Sequence, residues 1–500
     1  MLNDKLVQAY QTYRMKLRAY RFAEYLISWD SETEAPVGCF DVRSQMVGVL
    51  SSESFKLMTC QDTVDMINEL YANLNELDEL LQIEIKHAKK SLDKLTKIPE
   101  DEYVSYMELL SKSSLVWANA KKNNDFASFE PTLTKIVEFN QKMMKYLETD
   151  TLKGYDTLLD EYEEGATQVV YDEFFDTLKK ELVPFAKKVC STKTNYHPLK
   201  ETTYPKEKQE LLTKYFVNEL GLDPNYTVVK TSEHPFTSGF GSTDVRITTH
   251  YYEDNLLSNI YSVIHEGGHA IYELQCGSHL EETLLGGGST MAMHESQSRF
   301  FENIIGRSYP FIEKHYPKIK SLFEEELDGI TIEDFYFNCN EAKMSFIRIE
   351  ADELTYPIHI MIRYDIEKEL MSGKLQVKDL PARWNELVKD YLGLDVPSDT
   401  VGVLQDVHWS GGSFGYFPTY AYGSAIAAQL YYAMKKEFDV TEDIKHNSLK
   451  KVKEYLKENV HQYGQTKLPQ EMLLKATGEK FNPKYYIEYL KEKYTKLYNL

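Results

Sequence analysis

Apolar and aromatic positions recur at steps of three and four residues along most of this chain, the spacing that lines one face of an α-helix. Residues 1–28 carry such a stripe. So does the segment 61–96, with Val64, Ile67, Leu70, Leu74, Leu77 and Leu81 in register. A helix start is read at Glu130-Pro131, because proline suits the first helical position ahead of TLTKIVEFNQKMMKYLE. Residues 441–500, rich in Lys, Glu and Tyr, read as surface-packed helices. One stretch departs from the pattern. TVVKTSEHPFTSGFGSTDVRITTHYY (227–252) is rich in Thr, Val, Phe and Gly, with Gly239 and Gly241 at a turn, and it predicts a short antiparallel hairpin among helices.

Composition agrees with a mainly α chain. Only 16 of 500 residues are Pro and 24 are Gly, which favours long uninterrupted helices. No repeat, linker or shift of composition divides the sequence, so residues 1–500 read as one large helical body. The net charge of −21 argues against a nucleic-acid partner and against an anionic membrane surface. A mean hydropathy of −0.47 and the lack of a long uncharged apolar run argue against a membrane span. The N-terminus carries charges throughout, unlike a signal peptide. Five cysteines (Cys39, Cys60, Cys190, Cys276 and Cys339) are an odd number without CxxC spacing, which suits reduced thiols in a cytoplasm.

Candidate chemistry is concentrated. Six of the 13 histidines, at 234, 250, 265, 269, 279 and 294, fall between residues 230 and 294. His265-Glu266-Gly267-Gly268-His269 is an HExxH sequence, flanked by apolar residues from Leu256 to Leu274 at helical intervals. Histidines four apart lie about one turn apart on one helix face, so both imidazoles can bind one Zn²⁺. Glu266 projects beside them, where it can take a proton from an activated water. The alternative is a buried helix whose histidines bond to backbone or carboxylates. That alternative explains Gly267 and Gly268 poorly, since each costs about 1 kcal/mol in a helix interior; something is expected to pack close to the backbone there.

Catalytic zinc usually takes a third protein ligand. The nearby HExxHxxGxxH register gives only Tyr272 and Gln275, so a carboxylate on another element is expected. Ser289-Thr290 caps a second predicted helix after the Gly286-Gly287-Gly288 turn, and Glu295 sits early on it. His294 is the competing ligand, and a Cys276 thiolate is disfavoured because a buried apolar cysteine is commoner.

HPF (234–236), DVRIT (244–248), HEGGH, HESQSR (294–299), IRIEADELTY (347–356) and GVLQDVHW (402–409) follow one another in order. That set resembles the signature of the M32 metallocarboxypeptidases, the carboxypeptidase Taq family. WDSET (29–33), YDTLLDEYEEG (155–165) and the stretch 383–423 also look familial, so the resemblance spans most of the chain. Tyr422, Ser424-Ala425-Ile426 and residues 35–39 depart from the commoner form without touching a candidate catalytic position.

The resemblance implies a helical fold like that of angiotensin-converting enzyme and the oligopeptidases. A deep groove, a small antiparallel sheet beside the active site, and a wall built partly by the helices of about 1–95 belong to that expectation. It implies a homodimer holding one zinc per subunit, with cobalt as a substitute, that removes residues from peptides bearing a free C-terminal carboxylate. His265, His269 and Glu295 would bind zinc, and Glu266 would be the general base. A planar guanidinium can hold the substrate carboxylate through two parallel bonds. Arg348 is the first candidate, with Glu350, Asp352 and Glu353 as alternative ion-pair partners; Arg246, beside Asp244, is the second. By resemblance His408 and Tyr420 would serve the oxyanion, and His234 would orient substrate or brace the hairpin. The rival readings are a zinc endo-oligopeptidase of the same architecture and an inactive peptide-binding scaffold.

Overall fold

The computed structural model describes residues 4–500; residues 1–3, the start of the first predicted helix, lie outside the described residues. That helix runs Asp4–Thr33 and buries Tyr10, Tyr13 and Leu17 at the expected spacing. The predicted 61–96 helix is two helices, Gln61–Ala72 and Glu79–Lys97, separated by a 3₁₀ turn at Leu74–Glu76. Asp78 starts the second by accepting the Leu81 amide at 2.9 Å. The apolar step carries across the break, which is why periodicity alone missed it. Leu70, Leu77, Leu81 and Ile85 pack with Tyr10 and Leu17 into a small core of their own. A much larger core runs from Tyr106 to Tyr498.

The helix expected to begin at Pro131 instead runs Phe126–Leu147, with Asp125 accepting the Ser128 amide at 3.2 Å. Pro131 therefore sits in the second turn, and the cap, not the proline, decides the start. Residues 441–500 are largely helical as expected, but the last helix, Lys484–Tyr498, is a core element that buries Tyr486, Leu490 and Tyr494.

The strands form a mixed sheet, not a purely antiparallel one. β2 (Thr237–Gly239) and β3 (Val245–Thr249) are the antiparallel hairpin, with Thr237 opposite Ile247. The Gly239–Gly241 region turns it, and Gly241 has the positive φ of +81° that the turn needs. β1 (Thr227–Thr231) pairs parallel to β3 on its other side, giving the order β1-β3-β2. Residue alternation reveals strands but not which neighbour each takes.

The HEGGH helix, Leu256–Leu274, begins with Asn255 accepting the Ser258 amide. Its two glycines are explained by close packing. A Cβ on Gly267 would lie 2.4 Å from the Leu220 side chain. One on Gly268 would lie 2.8 Å from both the Gln297 carbonyl oxygen and the Ser298 Cα of the next helix, Met291–Arg299. From the opposite direction Gly423, on helix Pro418–Glu437, leaves room for the Ala292 carbonyl and the Glu295 side chain. The Glu295 helix is thus held between two helices that approach it at glycines, and it continues into a π-helical turn, Phe300–Gly306. The expected cap differs: the Thr290 side chain makes no capping bond.

Helix propensity alone would make Gly268→Ala stabilising by about 1 kcal/mol. The contacts reverse the sign. The substitution is expected to destabilise by roughly 1–3 kcal/mol, as overpacking does, measured as a lowered denaturant midpoint at unchanged m-value.

Candidate metal centre

Placing HExxH on a straight helix sends His265 and His269 out on the same side, one turn apart, and the packing described above brings Glu295 to face them. One ligand atom from each of His265, His269 and Glu295 lies within 4.8 Å of the others. Glu295 Oε2 is 3.8 Å from His265 Nε2 and 3.7 Å from His269 Nε2, too far for hydrogen bonds. Two imidazole nitrogens and a carboxylate oxygen around a gap of this size are the donor set of hydrolytic zinc sites, so the residues fit a divalent ion.

The outward atoms of all three side chains are tied down. His265 Nδ1 lies 2.8 Å from Glu302 Oε2, and His269 Nδ1 lies 2.6 Å from His294 Nδ1. His294 in turn reaches Glu273 Oε1 at 2.7 Å. Arg299 Nε donates to Glu295 Oε1 at 2.7 Å, while Oε2, which also accepts from Ser298 Oγ at 3.2 Å, faces the histidines. Such outer partners orient ligands and sharpen their basicity. Burial opposes protonation of His265, but Glu302, Glu295 and Glu266 outweigh it and raise its pKa. Burial, helped by His294, drives the His269 pKa well down, so its lone pair is free at neutral pH.

Glu266 is 6% exposed, and burial raises its carboxyl pKa. Thr237 of β2 donates its hydroxyl to Glu266 Oε2 at 2.6 Å, so the sheet edge braces this carboxylate. The other oxygen has no such bond from Thr237. This is how a threonine just after HPF enters the site.

Aromatic and guanidinium groups extend the site beyond Glu295. Arg299 lies over the Tyr356 ring at 4.6 Å, and the Tyr356 hydroxyl accepts from Arg348 Nη1 at 3.0 Å. Arg348, 6% exposed, does not pair with the acidic residues of its own segment. Its Nε and Nη2 both donate to Asp406 Oδ1, at 3.0 and 2.9 Å. Asp406 also faces Arg363 at 2.6 Å, so two guanidiniums share one carboxylate and the cluster keeps excess positive charge. Arg348 also lies 5.2 Å from the Tyr420 ring, and the Tyr420 hydroxyl is 3.1 Å from His408 Nε2. Burial and Arg348 push the His408 pKa down to about 4, which makes it neutral at pH 7.

Other candidates fall elsewhere. Arg246 pairs with Asp244 through two bonds of 2.7 and 2.9 Å and stacks near Tyr25 and Trp29, away from Arg348's partners. His234 is exposed, and its carbonyl accepts from Ser232. His294 stands behind His269 as a partner of the ligand, not beside Glu295 in the cluster. Cys276 is buried, with burial raising its thiol pKa, and takes no part in the cluster. Thr237, Glu273, Arg299, Glu302, Tyr356 and Asp406 went unassigned by sequence reasoning. Arg299, Tyr356 and Asp406 lie inside the quoted motifs, so their presence was visible and their partners were not. Glu302 had one usable signal, a seven-residue step from Glu295 along a continuing helix.

The sequence profile described as Carboxypeptidase Taq (M32) metallopeptidase matches residues 9–494. The chain is 41% identical to Carboxypeptidase 1 of Bacillus subtilis over 489 residues, covering 97% of each. It is 35% identical to Thermostable carboxypeptidase 1 of Pyrococcus furiosus, covering 98% of this chain and 99% of that one. Its fold is similar to the crystal structure of the M32 carboxypeptidase from Deinococcus radiodurans, with a TM-score of 0.95 at 30% identity over 99% of this chain and all of that one. Sequence and fold agree, and the candidate metal centre is consistent with them: this chain belongs to the carboxypeptidase Taq (M32) family of metallopeptidases.

Proposed function

We propose that this metallocarboxypeptidase acts through a zinc ion held by His265, His269 and Glu295, with Glu266 as general base. The observation that carries the reading is the facing of those three ligand atoms, with Glu266, on the helix of the two histidines, braced by Thr237 of β2. A divalent ion bound there supplies Lewis acidity, polarising the scissile carbonyl and acidifying water. Glu266 takes the proton released as water attacks and hands it to the departing nitrogen. Tyr420, backed by neutral His408, donates to the oxyanion that develops.

Arg348 is the proposed anchor for the substrate's terminal carboxylate. Of its five N–H groups, those bonded to Asp406 and Tyr356 leave one on each terminal nitrogen, the fork that a carboxylate can accept. The surplus charge of the Arg348–Asp406–Arg363 cluster supports the same role. The paired Arg246 is the weaker candidate. The edge of β2 next to Thr237 suits an extended peptide, and backbone pairing there would make specificity broad. His234 is a bracing residue at most in this reading. The whole chain is read as one catalytic domain, and the family resemblance supports a homodimer with cobalt able to replace zinc. The five free cysteines support a reducing, cytoplasmic setting. Among the described residues no helix is long and apolar enough to cross a membrane.

A chelator should abolish activity and added zinc should restore it. Glu266→Gln should retain the metal by elemental analysis while kcat falls about 10²–10⁴-fold; a fully active variant would remove Glu266 from the mechanism. A peptide acid should lose residues stepwise from its C-terminus while its C-terminal amide stays intact. Internal cleavage of both would favour the endo-oligopeptidase. Arg348→Lys should lower kcat/KM on the acid by ~10- to 150-fold, the loss of about 1.5–3 kcal/mol for a charged hydrogen bond.

A further inference from the structure

The familial stretch YDTLLDEYEEG (155–165) supplies no group to the chemistry above, yet it packs against neighbours of groups that do. The Tyr155 hydroxyl donates to Glu367 at 2.5 Å, and Glu367 also accepts from Trp409 Nε1 and the Gly415 amide. The Tyr162 ring meets Tyr416 edge-on at 5.0 Å. On the other side Lys90 pairs with Asp160 at 2.8 Å and Glu164 at 3.1 Å. The same stretch also meets the start of the Glu295 helix. The Met291 amide donates to the Tyr162 carbonyl at 3.0 Å, and the Ala292 amide donates to Glu163 Oε2 at 3.0 Å.

Those two bonds do what the predicted cap does not. The first amides of a helix have no partner inside it, and Thr290 supplies no side-chain cap. Glu163, 1% exposed, fills that position from a distant segment. Burial pushes its carboxyl up to about 8 against the pull of the Thr290 hydroxyl and the Ala292 and Met293 amides. A group held largely neutral at pH 7 acts here through its oxygen's position more than through its charge.

Position is what the Glu295 helix needs. Its close contacts at Gly268 and Gly423 fix how near the neighbouring helices come. A helix rises 1.5 Å per residue, whereas metal–ligand distances tolerate only about 0.2 Å. An acceptor anchored at the first turn, three residues before the ligand, adds an axial constraint nearest the ligand to those from the Met291–Tyr162 and Gln297–His461 bonds.

We propose that Glu163 is a positioning residue for Glu295: by accepting the Ala292 amide it sets the axial position of the helix that presents this metal-ligand carboxylate. The assignment rests on the reading that His265, His269 and Glu295 hold the ion. Glu163→Asp keeps the carboxyl but withdraws it by one methylene, Glu163→Ala removes the acceptor, and Glu163→Gln retains an oxygen at full length.

Metal-stripped full-length protein is titrated with Zn²⁺ against a competing chelator, and the visible spectrum of the Co²⁺ form is recorded. Zinc Kd should rise about 10- to 100-fold in the Asp and Ala variants, the range found for outer-shell changes. The Gln variant should stay within about threefold of wild type, well below that outer-shell range, and the Co²⁺ bands should shift in the Asp variant but not in the Gln variant. Zinc affinity within about threefold of wild type in the Asp variant would overturn the proposal, whatever happens to thermal stability. So would a Gln variant as weak as the Asp one, since that result would point to charge. If the Ala variant does not fold, the Asp variant decides. A Glu295→Ala control that binds zinc as tightly as wild type would instead overturn the three-ligand reading, and the Glu163 assignment with it.

Discussion

The site depends on how closely the HEGGH helix and the Glu295 helix can approach. Gly268 allows the Gln297 carbonyl and Ser298 backbone to come where any side chain would collide, and Gly423 does the same from the far side for Ala292 and Glu295. Side chains at such contacts normally hold helix axes 8–10 Å apart. Removing them trades helix propensity for proximity, and that proximity brings a carboxylate opposite two imidazoles one turn apart. The strands, the outer carboxylates and the arginine cluster are arranged around this crossing.

Electrostatics then decide what each buried group can do. The centre gathers Glu266, Glu295 and Glu302 around two histidines, with Arg299 and Arg307 bonded to Glu302. Burial disfavours every charge present, and that cost is offset by pairing: Arg299 bridges Glu295 and Glu302, Arg307 meets Glu302, and Glu302 faces His265. Farther along, Arg348 and Arg363 share Asp406, and this local excess of positive charge is hidden inside a protein of net charge −21. Bulk charge describes the surface. The candidate site lies where that bulk sign is locally reversed or balanced.

The expectations that failed have a common cause. The 61–96 helix breaks at Asp78, the 126–147 helix starts at Asp125 and not at Pro131, and the helix predicted to be capped by Thr290 is met instead by Glu163. Each depends on where one side-chain oxygen points, which apolar spacing does not record. The hairpin over 237–249 was legible because alternation and the Gly239–Gly241 turn are local, whereas the parallel pairing of β1 required a partner from outside the turn.

By itself the sequence determined the helical class, the two histidines on one helix face, the adjacent Glu266, the candidacy of Glu295 and the need for a close neighbour at the two glycines. Apart from Glu295, whose candidacy came from the need for a third ligand on another element, these follow from periodicity and spacing within one element, where about 1.5 Å of rise and 100° of turn per residue place side chains without further information. Only the tertiary structure decided that Thr237 braces Glu266, that Glu302 and His294 stand behind the two histidines, and that Arg348 pairs with Asp406 and not with its own acidic neighbours. Those partners lie from 25 to 58 residues apart in the chain. Their meeting is set by how whole helices pack, and no local pattern encodes the distance between two helices.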